Sequence, residues 1–243
     1  MQRFRLPEVF LGLLSISVAF VLVSHVAAAA IHDARHTHDT ISVTASAKEP
    51  ISANLVQWSI TVRGEAARAT GAARRLRREA VAVHRFLRQA GIPAAAITPS
   101  VVRSEEIVVR LPHKQRKVTY RVSQTFRIST RQIDVVEAVA PRVGTLLERG
   151  IDVEAEPLAY LSTELTQAKL TALGAATAEA RRRAEILVKG LGGKLGARRS
   201  SSLGVYQVTP RDSTDVSDYG INDTSSREKD VTAVVNATFA VKR

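Results

Sequence analysis

The run GLGGKLG, Gly190 to Gly196, has the glycine density of a phosphate-binding loop. Such loops lead from a strand into a helix, so that the helix N-terminal amides meet the anion. Here the glycines follow a helical pattern and precede a strand-like one, which reads as a helix C-terminal cap. Asp152, Glu154 and Glu156 alternate, and on a strand that spacing puts three carboxylates on one face, where a hard cation could sit. No turn follows to wrap an ion, so a solvated or edge-protecting face is expected. Nucleophilic catalysis needs a base beside the nucleophile, and the candidates within the folded part are His84 on a helix and His113 in a turn. With no G-x-S-x-G sequence and no cysteine, no catalytic triad is expected, and the chain reads as a non-enzyme. His36 and His38 lie in a polar stretch without a preorganised shell, so neither a metal nor another cofactor is expected.

Two arginine clusters, Arg74, Arg75, Arg77 and Arg78, then Arg181, Arg182 and Arg183, fall on helical patterns. Consecutive helical residues point in different directions, so each run surrounds its helix instead of painting a stripe. A solvated face is the first reading, and contact with an anionic lipid or envelope polymer is the second. Aromatic residues make up 5% of the chain, too few for a base-stacking surface, and nucleic acid is not expected as a partner. The segment from Pro210 to Asp230 carries Asp212, Asp215, Asp218, Asp223 and Asp230 without the order of an EF-hand. A loop of that length is either a flexible connection or a functional one. Its candidate interaction residues are Arg211, Asp212, Tyr219 and Gly220. Trp58, the single tryptophan, is a fifth candidate, with a core position on a strand as the competing reading.

The elements that must position these residues follow from periodicity. Ile41, Val43 and Ala45 alternate with polar residues, and Leu55, Trp58, Ile60 and Val62 follow, predicting two strands. Ala66 to Gln89 has apolar residues at spacings of three and four, predicting an amphipathic helix stopped by Gly91 and Pro93. Ile97 to Leu111 and Val118 to Ile128 predict a hairpin. In its second strand Arg121, Ser123, Thr125, Arg127 and Ser129 form one wet face. Ile133 to Glu148 predicts a helix bent or divided at Pro141. A strand at Ile151 to Ser162, a long alanine-rich helix at Glu164 to Leu191, a strand at Leu195 to Val208 and a last strand at Val231 to Val241 complete the order. The expected fold class is α+β: mainly antiparallel sheets with helices packed on one face, in two related β-α-β lobes.

The apolar stretch from Val9 to Ala30 is long enough to cross a bilayer, and Arg3 and Arg5 precede it. Residues 1–30 are therefore expected to form a signal anchor, a transmembrane helix in an inner membrane with the C-terminal part on the far side. The alternative is a signal peptide cut near Ala27 to Ala29 and release beyond the membrane. Residues 31–39 read as a linker and 40–243 as the folded domain. Residues 1–39 balance to zero charge, so the whole net charge of +12 lies in residues 40–243. Such a field attracts anionic surfaces.

Several segments resemble one known family. They are ISVTASAKEPISANLVQWSITVRGEA, AGIPAAAIT, YRVSQTFRIST, and ARRRAEILVKGLGGKLGARRSSSLGVYQVTPRD with Asp218, Tyr219 and Gly220 downstream. Together they resemble the SIMPL domain family over residues 40–243. The nearest branch has an N-terminal hydrophobic segment, and the pattern of Ser202, Gly204, Val205, Gln207, Pro210, Arg211 and Asp212 is similar to its strand and loop. The resemblance implies an α+β domain of bacterial envelope proteins, some described as channel-like rings, with no established enzyme activity and no catalytic residues. It further implies an oligomer or an envelope protein partner, with a stress-related role as one option.

Overall fold

The computed structural model describes residues 39–110, 112 and 116–242. The expected membrane segment, the histidines at 32, 36 and 38, and His113 lie outside the described residues. No helix among the described residues is long and apolar enough to cross a membrane.

In chain order the strands are β1 (Thr40–Ser52), β2 (Leu55–Ala66), β3 (Ile97–Pro99), β4 (Arg103–Arg110), β5 (Arg116–Thr130), β6 (Asp152–Ala155), β7 (Ala159–Leu161), β8 (Lys194–Leu203), β9 (Gln207–Pro210), β10 (Ile221–Asn222) and β11 (Glu228–Lys242). The helices are α1 (Ala69–Gln89), α2 (Ile133–Val139), α3 (Gly144–Glu148) and α4 (Leu165–Gly190). Described pairings are antiparallel except β9 with β10. The fold is thus mixed α+β with mostly antiparallel sheets. The described chain divides into two units, the first formed by residues up to 47, 173–204 and from 233 on, the second by 48–172 and 205–232. Two lobes were expected, but the first unit is drawn from separate stretches because the last strand pairs with the first.

In the larger unit a six-stranded sheet has the order β3-β5-β2-β6, with β4 also beside β5 and β7 beside β2. The register sets Trp58 opposite Ile128 and Ile60 opposite Phe126. Since side chains alternate, one face gathers Val56, Trp58, Ile60, Val62, Val122, Phe126 and Ile128, all buried. The other holds Arg63, Ser123, Thr125, Arg127 and Ser129, as the alternation predicted. Helix α1 covers the apolar face with Ala72, Leu76, Ala80, Val83 and Leu87, a stripe at spacings of three and four. Ile133, Val136, Val139, Val143 and Leu146 extend that core from α2 to α3. Pro141 divides these two by a 3-10 turn, Ala140–Val143, because its ring nitrogen has no proton to donate.

In the smaller unit β11 lies between β1 and β8. The core consists of Val43, Ala45, Ala180, Ala184, Ala237 and Phe239. Helix α4 contributes Ala176, Ala180, Ala184 and Val188, all buried, at a repeat of four. Small side chains on that face let the helix approach the strands closely. The glycines after α4 close it: Gly192 N–H donates to Lys189 O at 3.1 Å and Gly193 N–H to Val188 O at 2.9 Å. They are a helix cap, as their order after a helix predicted.

Three predicted strands are each interrupted. The Ile97 to Leu111 run breaks at residues 100–102, where Ser100 bonds back to Thr125 through its N–H at 2.8 Å and its hydroxyl oxygen at 3.0 Å. The Ile151 to Ser162 run breaks after Ala155, and the Leu195 to Val208 run breaks at residues 204–206. Each break lies beside a residue that strands disfavour, Pro99, Pro157 or Gly204, and its exact place is fixed by bonds to strands remote in sequence.

Gly64 marks the tightest approach of sheet and helix in the larger unit. A β-carbon there would lie 2.5 Å from Leu76 N and 2.6 Å from Ala72 O, both backbone atoms of α1. Gly64→Ala is expected to lower unfolding stability by about 1–3 kcal/mol, near the upper end because backbone must move. Urea unfolding checks this, with Gly174→Ala in the interior of α4, where a β-carbon meets nothing within 4 Å, expected to move the opposite way and raise stability by up to about 1 kcal/mol.

Candidate functional site

The segment after β9 is held by charge. Arg211 donates its N–H to Glu228 O at 3.1 Å, while its guanidinium reaches Ile51 O at 3.3 Å and Glu228 Oε2 at 3.2 Å. Ser52 Oγ donates to Glu228 as well. Asp230, buried at the start of β11, draws in Lys48 Nζ at 3.6 Å, Arg211 Nε at 3.8 Å and the Asp212 N–H at 3.3 Å. Asp212 itself adopts φ 63°, a left-handed conformation that aspartate tolerates better than most residues. Of the sequence-selected residues, Arg211 and Asp212 therefore come together, and they do so around a carboxylate that the sequence did not single out.

A second charge centre lies further along. Asp223 accepts hydrogen bonds from Ser225 N–H at 2.9 Å, Ser226 N–H at 3.2 Å, both serine hydroxyls, and Lys229 Nζ at 2.8 Å. The Asp223 side chain is 9% exposed and the Lys229 side chain 3%. Burial alone would raise the Asp223 pKa. The bonds from Lys229, Ser226 and Ser225 overcome it and hold the carboxyl well below the ordinary range. Lys229 also donates to Asp223 O at 2.7 Å, so its charge is met twice.

Between these centres the chain is fixed and turned outward. Gln207 Nε2 donates to Ser217 O at 2.7 Å, and the Asp223 N–H to Val208 O at 2.9 Å. Gly220 has φ 83°, and a β-carbon there would fall 2.8 Å from Tyr206 O, so glycine is required. Its N–H and that of Tyr219 both return to Ser217. Tyr219 is left 97% exposed and Val216 82%. The segment is thus not a slack connection: it displays an aromatic ring from a backbone held at both ends.

The other candidates resolve differently. Trp58 is 3% exposed and donates Nε1–H to Glu156 O at 2.9 Å, so it is a core residue and not a contact aromatic. Asp152 and Glu154 face Arg63, 3.9 Å from Asp152 and also paired with Glu154, which gives them a cation already. No group of three potential metal ligands occurs among the described residues. Arg75 pairs with Glu79 at 2.6 Å, and Arg181 and Arg183 pair with Glu185 and Glu179 at 2.9 Å, one helical turn away in each case. His84 packs on Phe126, ring centroids 6.4 Å apart, with no carboxylate bonded to it among the described residues. No base stands beside a nucleophile in any of these groups.

Lys48, Glu228 and Lys229 were missed by sequence reasoning, and Asp230 was named only as one of the aspartates of the loop. A signal existed in the run Glu228-Lys229-Asp230, three charges at the entry to a strand of perfect alternation. Lys48 offers none, because its partner is remote in the chain. The Asp223→Asn variant, which leaves Lys229 buried and uncompensated, is expected to lose about 3–5 kcal/mol. Because the native carboxyl binds its proton less tightly than the unfolded one, wild-type stability from this group is full above about pH 4 and declines as pH falls below it. Denaturant unfolding from pH 6 to pH 2.5 checks both, with a shallower acid slope expected for the variant.

Among solved structures, a de novo designed protein named Foldit4 is similar over 42% of this chain and 93% of its own, with 15% identity and a TM-score of 0.21. That score carries no argument about fold. No curated protein matches the sequence. The model of the SIMPL family, described as a protein of unknown function (DUF541), matches residues 41–239. The match spans both units and the braced loop, and the chain belongs to the SIMPL family.

Proposed function

We propose that this protein is a non-enzymatic binding and assembly module of the cell envelope, tethered at the inner membrane by its apolar N-terminal segment and acting through self-association or an envelope protein partner. The observation that carries the reading is Tyr219, displayed at 97% exposure on a loop whose backbone is pinned by buried charge. A rigid, exposed tyrosine offers large contact area at small entropic cost, the pattern of a binding hot spot. Val216 beside it adds apolar surface. Strand β4 supports the same reading: among the described residues it pairs with β5 alone, and Val108 and Val109 on it are exposed. Its remaining edge is open to strand addition. Against catalysis stands the charge balance of the braced loop, where the buried acids Asp223 and Asp230 and the neighbouring Glu228 are each met by a lysine or an arginine.

The test is chemical crosslinking of the full chain in phospholipid nanodiscs, with light scattering to count copies. A specific homomeric or heteromeric product is expected, and Tyr219→Ala should weaken its formation roughly tenfold or more with the melting midpoint unchanged. A strict monomer that crosslinks to no envelope protein would overturn the proposal. Alkaline phosphatase fused after residue 243 is expected to be active outside the cytoplasm, and an inactive fusion beside a fluorescent cytoplasmic one would remove the envelope assignment.

A further inference from the structure

Helix α1 packs on β2 and β5 in the larger unit and leaves the adjoining edge of that sheet uncovered. There the chain steps away between β3 and β4, since Ser100 turns its N–H and hydroxyl toward Thr125. A groove of about 480 Å³ results, floored by Leu76, Val122 and Phe126. One wall is a stripe of α1 that includes Arg77 and Val81, and the other holds Val102. Val81 and Val102 are 53% and 55% exposed, so the groove keeps its apolar rim in contact with water. Its volume falls within the range of small-molecule sites, roughly 300–1,000 Å³.

The ionisable residues lining the groove are Arg77 and His84, and no carboxylate lines it. Arg75 has a glutamate one turn away, whereas Arg77 shares the unpaired state of Arg74 and Arg78 and is the one of these four that lines the groove. Among the described residues no acid pairs with Arg77. An apolar trough with one uncompensated guanidinium complements a molecule having an unbranched apolar body and a single anionic head. From Arg77 to His84 the wall extends about 10 Å along the helix axis, the reach of a medium-length acyl chain lying lengthwise. We infer that this groove binds a medium-chain free fatty acid, its tail over Leu76, Val122 and Phe126 and its carboxylate on Arg77. This site is separate from the Tyr219 loop, and neither proposal depends on the other.

The test uses the full chain in phospholipid nanodiscs and a dodecanoic acid carrying a diazirine near its tail end. Photolabelling followed by peptide mapping is expected to mark residues 73–84, 99–102 or 122–126. Competition should strengthen by roughly fourfold or less per methylene from octanoate to dodecanoate. Dodecanol and dodecyltrimethylammonium should compete at least tenfold more weakly than dodecanoate. Arg77→Glu should cut labelling about tenfold while Arg77→Lys retains most of it. Val81→Trp, at a half-exposed position where folding tolerates bulk, should abolish labelling without moving the melting midpoint. Label confined to residues 9–30, equal competition by the alcohol, or indifference to both Arg77→Glu and Val81→Trp would overturn the assignment. A peptide occupant would show itself as protection from labelling by a copurifying segment, which would equally overturn it.

Discussion

A lysine and an aspartate withdrawn from water at the entry to the last strand decide what the loop after β9 can be. Lys229 and Asp223 are each too buried to be left alone, and a lone charge there would cost several kcal/mol. The chain between residues 211 and 228 must therefore return to one place whenever the protein is folded. The serines at 225 and 226 fill the remaining lone pairs of the aspartate, and Gln207 and Gly220 set the path between. Asp230 does the same for the start of the loop by gathering Lys48, Arg211 and the Asp212 amide.

This constraint bears on what so polar a segment can offer. Acid and base groups in an active site are held partly unsatisfied so that a substrate can complete them. In this loop Asp223, Glu228 and Asp230 already have lysine, arginine, hydroxyl or amide donors, and Asp212 and Asp218 lie exposed on the surface. What remains for a partner is shape and surface, namely the ring of Tyr219 and the side chain of Val216. The groove beside α1 is complementary in character, an apolar trough with an arginine that lacks its acid. Surfaces of this kind are what the proposed binding module would use.

Much of the fold was legible because alternation and helical spacing are local. Val118 to Ile128 and Val231 to Val241 alternate so regularly that both strands, and the wet face of the first, could be read directly. The stripe of α1 is equally plain from Leu76 through Ala80 and Val83 to Leu87, although the buried alanine of its first turn is Ala72 and Ala73 is exposed. The interruptions were not, since a break at Ser100 or after Ala155 depends on bonds to Thr125 or Ser59, residues elsewhere in the chain. The site was half legible. Arg211, Asp212, Tyr219 and Gly220 were marked by motif, and Gly220 and Asp212 proved to hold left-handed backbone. Their partners Lys48 and Lys229 were not marked, because a lysine that will be buried looks in sequence like any other on a basic chain. Trp58 could be read either way until its ring was seen in the core.

Amide hydrogen exchange across residues 211–228 of the full chain tests the central claim most directly. If buried charge holds the loop, the amides of Asp212, Gly220, Asp223, Ser225 and Ser226 are protected in the wild type, and those of Gly220, Asp223, Ser225 and Ser226 lose that protection in Asp223→Asn, while the Asp212 amide, held by Asp230, and amides of β2 and β5 stay slow. Exchange at unprotected rates throughout the wild-type loop would contradict the account, and Tyr219 would then be a residue on a tether instead of a presented contact.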